Sequence, residues 1–149
     1  YHNRVAGTMD LVRSGDDDRI VLWMGLPPMG PRSGIPGDVV DQVNQIYASE
    51  AEGRPWIDYV DTWSYLSNPE GSYAEQLPMA DGEVRRIRAG DDIHFDVAGS
   101  QRLTWAMLGR IARWADVSAA AEAFEPPPGN SAPADLVERA ELPDPGSRS

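Results

Sequence analysis

Residues 20–26 read Ile-Val-Leu-Trp-Met-Gly-Leu, seven positions without a charge. The run has strand length, and its continuity, rather than an alternation, predicts a strand covered on both faces, as in a parallel sheet. Pro27-Pro28 ends it, and the Pro- and Gly-rich stretch to Gly37 reads as a loop. Upstream, Tyr1, Val5, Met9 and Val12 fall at helical spacing until Ser14-Gly15 breaks the pattern. Asp16-Asp17-Asp18 reads as a solvated turn, because the downstream Gly and Glu of a calcium loop are absent. Gly37-Asp38 opens a second helix with Val39, Val43, Ile46 and Tyr47 as its buried stripe, ended by Gly53 and Pro55. Residues 57–63, Ile-Asp-Tyr-Val-Asp-Thr-Trp, form the second strand. Strand, helix and strand within about 45 residues make one βαβ unit, which favours a right-handed crossover.

From residue 64 to 92 the chain is polar and without a period, which predicts a long functional loop. Asp96 can cap the helix that follows, in which Leu103, Met107, Ile111 and Trp114 form an inward stripe. Ala119-Ala120-Ala121 can extend it, but Pro126-Pro127-Pro128-Gly129 ends it. The expected organisation is therefore a domain over residues 1–118 and a disordered, acidic, Pro-rich tail over 119–149.

The chain of 149 residues has room for one ordinary domain, and 41% hydrophobic residues suffice for a core. A formal charge of −11 argues against nucleic acid or anionic membrane surfaces as partners. The absence of cysteine excludes disulfides, thiolate metal sites and cysteine nucleophiles. No apolar run has the length of a membrane span and no signal peptide is visible. The opening Tyr1-His2-Asn3 lacks an initiator Met, so the chain is expected to be a piece of a longer protein.

Chemistry concentrates in residues 89–98, Ala-Gly-Asp-Asp-Ile-His-Phe-Asp-Val-Ala. A neutral imidazole near its reference pKa of about 6.5 can take a proton from a hydroxyl. A carboxylate on its other nitrogen fixes the tautomer and stabilises the imidazolium as it forms. Asp91, three residues before His94 on a turn, can fold back to that ring. Asp-x-x-His alone recurs by chance, and the plain alternative is an Asp91 that caps a turn beside an exposed His94. Asp91, Asp92, His94 and Asp96 also suggest a metal cluster. Zinc, however, favours more nitrogen or sulfur ligands, and the only other histidine is His2. No cofactor is implied. A nucleophile is missing from the motif, since Ser33 and Ser64 lack an elbow-like Gly-x-Ser-x-Gly context.

Four blocks stand in order: Leu26-Pro27-Pro28-Met29, Tyr59-Val60-Asp61-Thr62-Trp63, Gly82-Glu83-Val84-Arg85-Arg86-Ile87-Arg88 and Asp91-Asp92-Ile93-His94-Phe95. Over roughly residues 1–115 they resemble the C-terminal half of the SGNH (GDSL-type) hydrolases, in the bacterial branch called domain of unknown function 459. The resemblance implies an α/β fold, a three-layer α/β/α flavodoxin-like parallel sheet of which only the C-terminal portion is present. It implies His94 as the catalytic base and Asp91 as its partner, with the Gly-Asp-Ser nucleophile box and the oxyanion-hole Gly and Asn lying before residue 1. Asp92 stands where the family usually has Gly and adds a negative charge beside the base; Asp96 stands where it usually has Thr.

The function so implied is a C-terminal fragment of a serine esterase or acyltransferase, inactive alone, acting on esters or O-acetylated glycans outside the cytoplasm. The loops over residues 26–37 and 64–90 would line its pocket. Trp63 and Tyr73 can serve as sugar platforms, although such aromatics are more often packed. The alternative is a non-catalytic glycan-binding or accessory domain in which Arg85, Arg86 and Arg88 grip an acidic partner, although such clusters are usually solvated. Two parallel strands leave an open sheet edge, so the chain alone is expected to be marginally stable or to associate.

Overall fold

The structure, a computed structural model, describes residues 1–115. The tail expected from residue 119 lies outside the described residues. In chain order the elements are α1 (His2–Arg13), β1 (Val21–Met24), a 3-10 turn (Pro31–Ser33), α2 (Gly37–Glu52), β2 (Ile57–Val60), α3 (Thr62–Leu66), β3 (Gln76–Pro78), β4 (Val84–Arg86) and α4 (Val97–Ile111). This is an α/β protein with a small parallel sheet.

β1 and β2 pair in parallel, with Val21 opposite Ile57 and Met24 opposite Val60. Side chains alternate across the pair. Val21, Trp23, Ile57 and Tyr59 meet Val5 and Met9 of α1 and Ile46, Tyr47 and Ala51 of α2. Leu22 and Val60 turn the other way, into a cluster with Tyr65, Leu66, Leu77, Met79, Ile87 and Ala98 and Ala106 of α4. Both faces of the pair are thus covered, yet Val21, Leu22 and Trp23 are only half-buried and Met24 is exposed. Coverage of both faces agrees with the reading of residues 20–26, and the remaining exposure of β1 follows from its having one described neighbour strand.

Several expected boundaries and faces move. β2 stops at Val60 because Asp61 caps a helix, its carboxylate accepting from the amides of Trp63 (3.0 Å) and Ser64 (3.4 Å). The connection after β2 is not a structureless loop. It contains α3 and the antiparallel β3–β4 hairpin, with Leu77 opposite Arg85. Strands of three residues are too short to show a period, and their anchors Leu77 and Ile87 are scattered among polar residues. On α2 the deeply buried residue is Val40, while Val39 is exposed. On α4 the buried positions are Ala98, Gly99, Arg102, Ala106 and Arg110. Leu103 and Met107 flank them as partly buried neighbours, and Trp114 is exposed. The two arginines reach the core because each has acceptors there. Arg102 donates to the carbonyls of Tyr65 (2.8 Å) and Pro78 (3.1 Å), and Arg110 pairs with Asp58 at 2.7 Å.

Two contacts hold the carboxyl end of the parallel pair. Thr62 Oγ1 donates to the Gly25 carbonyl at 2.6 Å. The Asn44 amide serves Leu26 as a neighbouring strand would, accepting from its N–H at 2.7 Å and donating to its carbonyl at 2.8 Å. The Pro-Pro loop therefore leaves β1 in a fixed direction.

Candidate active site

The turn carrying Asp91 and His94 joins the hairpin to α4. It is closed by an antiparallel bridge between Arg88 and Phe95. The Ala89 amide donates to the His94 carbonyl at 2.8 Å, and the Asp96 amide to the Ile87 carbonyl at 3.1 Å. Inside the turn, Asp91 Oδ1 accepts from the amides of Ile93 and His94, both at 3.0 Å. Its Oδ2 lies 2.5 Å from His94 Nδ1. The bond to His94, and then those two amides, holds the Asp91 carboxyl well below the usual carboxylate range. Nδ1–H donates to the ionised carboxylate, and in a neutral ring that tautomer leaves the lone pair on Nε2. Nε2 meets no hydrogen-bond partner among the described residues, and the His94 side chain is 77% exposed. An exposed imidazole bonded in this way through Nδ1 can act as an oriented general base through Nε2.

Arg88 ties this turn to the loop that leaves β1. It is fully buried and donates through Nη2 to the Pro28 carbonyl at 2.9 Å and through Nη1 to the Ile93 carbonyl at 3.0 Å. Its guanidinium stacks 4.6 Å from the Phe95 ring centre. Burial pulls its pKa below the ordinary arginine value. The site thus sits beside the loop after a parallel strand's carboxyl end, the usual place for sites in such sheets.

Asp92 departs from the sequence reading. Its carboxylate does not stand beside the base as an added charge. It is 1% exposed and turned into the fold, where Arg32 donates to it from its backbone N (3.0 Å), Nε (3.0 Å) and Nη2 (2.6 Å). Tyr73 Oη donates to the same carboxylate at 2.7 Å. Arg32 above all holds the Asp92 carboxyl well below the ordinary range. Burial, reinforced by Asp92, pushes the Tyr73 hydroxyl up to about 12. The backbone at Asp92 is left-handed, with φ of 63°. Glycine reaches that region without strain, and Asp tolerates it better than most side chains.

Asp91, Asp92, His94 and Asp96 do not converge, for Asp96 points to the start of α4 and accepts from the Val97 amide at 2.7 Å. Among the described residues no three His, Asp or Glu side chains gather as metal ligands. The candidate hydroxyls serve turns: Ser33 donates to the Gly30 carbonyl at 2.6 Å, and Ser64 to Asp61 at 2.5 Å. Tyr73 is held by Asp92, and the Trp63 indole donates to the Gly71 carbonyl at 2.9 Å. The three arginines do not form one patch. Arg88 is in the core, Arg85 is paired with Asp81 and Glu83, and Arg86 lies 3.6 Å from Glu75. Arg32 and the anchoring role of Arg88 were missed in the sequence, where an Arg in a loop reads as solvated. The local hint was Asp92, an acidic residue at a position that favours glycine.

Among the described residues no helix is long and apolar enough to cross a membrane. Compared with known families, residues 1–110 match the family described as protein of unknown function (DUF459). No curated protein matches the chain.

Proposed function

We propose that this chain, which belongs to the DUF459 family, supplies the acid-base end of an SGNH-type serine ester hydrolase or acyltransferase. In this reading the described residues are the C-terminal portion of a three-layer flavodoxin-like domain. His94 Nε2 takes the proton of a serine hydroxyl as that oxygen attacks the ester carbonyl, and returns it to the leaving alcohol. Asp91 holds the imidazole in the productive tautomer and stabilises the imidazolium. The serine and the donors for the oxyanion are, in this reading, those of the Gly-Asp-Ser and oxyanion-hole blocks that the resemblance implies, which residues 1–149 do not carry. Substrates are esters, with O-acetylated glycans outside the cytoplasm as the class suggested by the resemblance.

The observation that carries this reading is the 2.5 Å contact between Asp91 and His94 Nδ1 on an imidazole whose side chain is 77% exposed. That arrangement leaves Nε2 available to a reactant, as a general base requires. A chromogenic acetate ester tests the reading. The gene product that includes the preceding sequence is expected to turn it over, and His94→Ala to lower kcat by at least about a hundredfold. The 149-residue chain alone is expected to show no turnover above buffer. An inactive longer product overturns the hydrolase reading. Turnover by the short chain, abolished by His94→Ala, overturns the placement of the nucleophile.

A further inference from the structure

Asp92 sits in the middle of the turn that presents His94, but its side chain belongs to a different neighbourhood. Arg32, from the 3-10 turn after β1, grips it with three N–H groups, and Tyr73, from the segment before β3, adds a fourth donor. The Asp92 carbonyl also accepts from the Gly30 amide at 3.3 Å. Approach at Gly30 is so close that a Cβ there would lie 2.6 Å from Asp92 Oδ2 and from the Tyr73 ring. Two separate segments, the one carrying Gly30 and Arg32 and the one carrying Tyr73, therefore close on Asp92, two residues before His94.

We propose that Asp92 is a positioning residue, whose carboxylate, held by Arg32 and Tyr73, locks the Asp91–His94 turn onto the loop following β1. The proposal rests on the hydrolase reading for what the pair does, but its geometry is independent of that reading. The reason is mechanical. The hydrogen bond between Asp91 and His94 lies on an exposed surface and competes with water, so it needs a turn whose backbone is already fixed. Asp92 fixes it from the buried side. A glycine would relax the left-handed backbone and yet remove the lock, so strain and locking can be separated by substitution.

The test uses the 149-residue chain, in which His94 and His2 are the only imidazoles, and reads ring-nitrogen NMR shifts above the histidine titration. It adds amide exchange at Ile93 and His94, with Gly25, bonded to Val60 across the parallel pair, as internal control. Asp92→Gly is expected to speed exchange of Ile93 and His94 about tenfold and to lower the Nδ1–H to Nε2–H tautomer ratio about fivefold, with Gly25 unchanged. Arg32→Ala is expected to do the same. Asp92→Asn, which tolerates the backbone and keeps Oδ1 as acceptor for the Arg32 side chain and Tyr73 while losing the acceptor for the Arg32 backbone N–H, is expected to restore part of the order. Wild-type exchange and tautomer ratio in Asp92→Gly overturn the proposal, as does equal acceleration at Gly25, which would mean general loosening. These readouts report order at His94 and not turnover, so their failure removes the positioning role alone. An inactive longer product removes the hydrolase reading alone.

Discussion

His94 exposes 77% of its side chain, while Asp92, two residues before it, exposes 1%. Neighbouring acids in this turn thus have separate duties. Asp91 faces outward and orients an imidazole; Asp92 faces inward and pairs with Arg32. Both carboxyls are held below the value of about 4 expected in an unfolded chain, Asp91 chiefly by His94 and Asp92 chiefly by Arg32. The sign of the pH dependence follows. A carboxyl with a depressed folded pKa binds protons more tightly when unfolded, so its pairing contributes fully above about pH 4. That contribution fades as pH falls toward the folded value. Arg32→Ala should therefore lower the unfolding temperature most near neutrality, and the gap from wild type should narrow by about pH 2.5. Melting both proteins across that range checks it, and a gap that widens in acid would show the sign to be wrong.

At the scale of elements, α4 is the piece that seats the site, because Asp96 starts it directly after the turn. Its approach to the hairpin is set by Gly99, where a Cβ would lie 2.1 Å from the Ile87 carbonyl oxygen. That atom is backbone of the segment leading into the turn, so it cannot swing aside. Alanine raises helix propensity by about 1 kcal/mol over glycine. Overpacking against a fixed backbone costs about 3 kcal/mol. The second effect wins, and Gly99→Ala is expected to lower stability in urea by about 2 kcal/mol, the difference of those two effects. An unchanged or raised stability would mean that α4 docks less closely than described. Farther along the same helix, Arg110 pairs with Asp58 of β2 at 2.7 Å, with both side chains about nine-tenths buried. The Trp114 indole adds a donor to Asp58 at 3.1 Å. α4 is therefore registered at both ends, by close backbone packing near the site and by an ion pair far from it.

Across the whole molecule, two hydrophobic clusters cover opposite faces of a parallel sheet that has two described strands. Unpaired strand edges offer backbone donors and acceptors to any chain that can align with them. The chain is expected to be of low stability at micromolar concentration and to gain unfolding temperature as its concentration rises. Light scattering and melting over a hundredfold concentration range measure both. A strict monomer with a high, concentration-independent midpoint would overturn the open-edge description. The formal charge of −11 opposes such association, so added salt should strengthen it.

Local chemistry made part of this protein legible from residue order alone. The apolar run at residues 20–26, the Pro-Pro stop, and the helix started at Gly37 identify a parallel βαβ unit, since continuity, breakers and period are properties of neighbouring residues. The closeness of Asp91 and His94 is equally local, because three residues on a turn bring their side chains together. Tertiary structure alone decided the rest. Arg32 and Asp92 are 60 positions apart, as are Arg88 and Pro28, and nothing in composition reveals that these pairs meet. The short strands β3 and β4 exist because each supplies the other's hydrogen bonds, and Arg102 and Arg110 are buried because acceptors await them. Spacing could put an acid beside a base, but only long-range pairing could hold the turn that keeps them there.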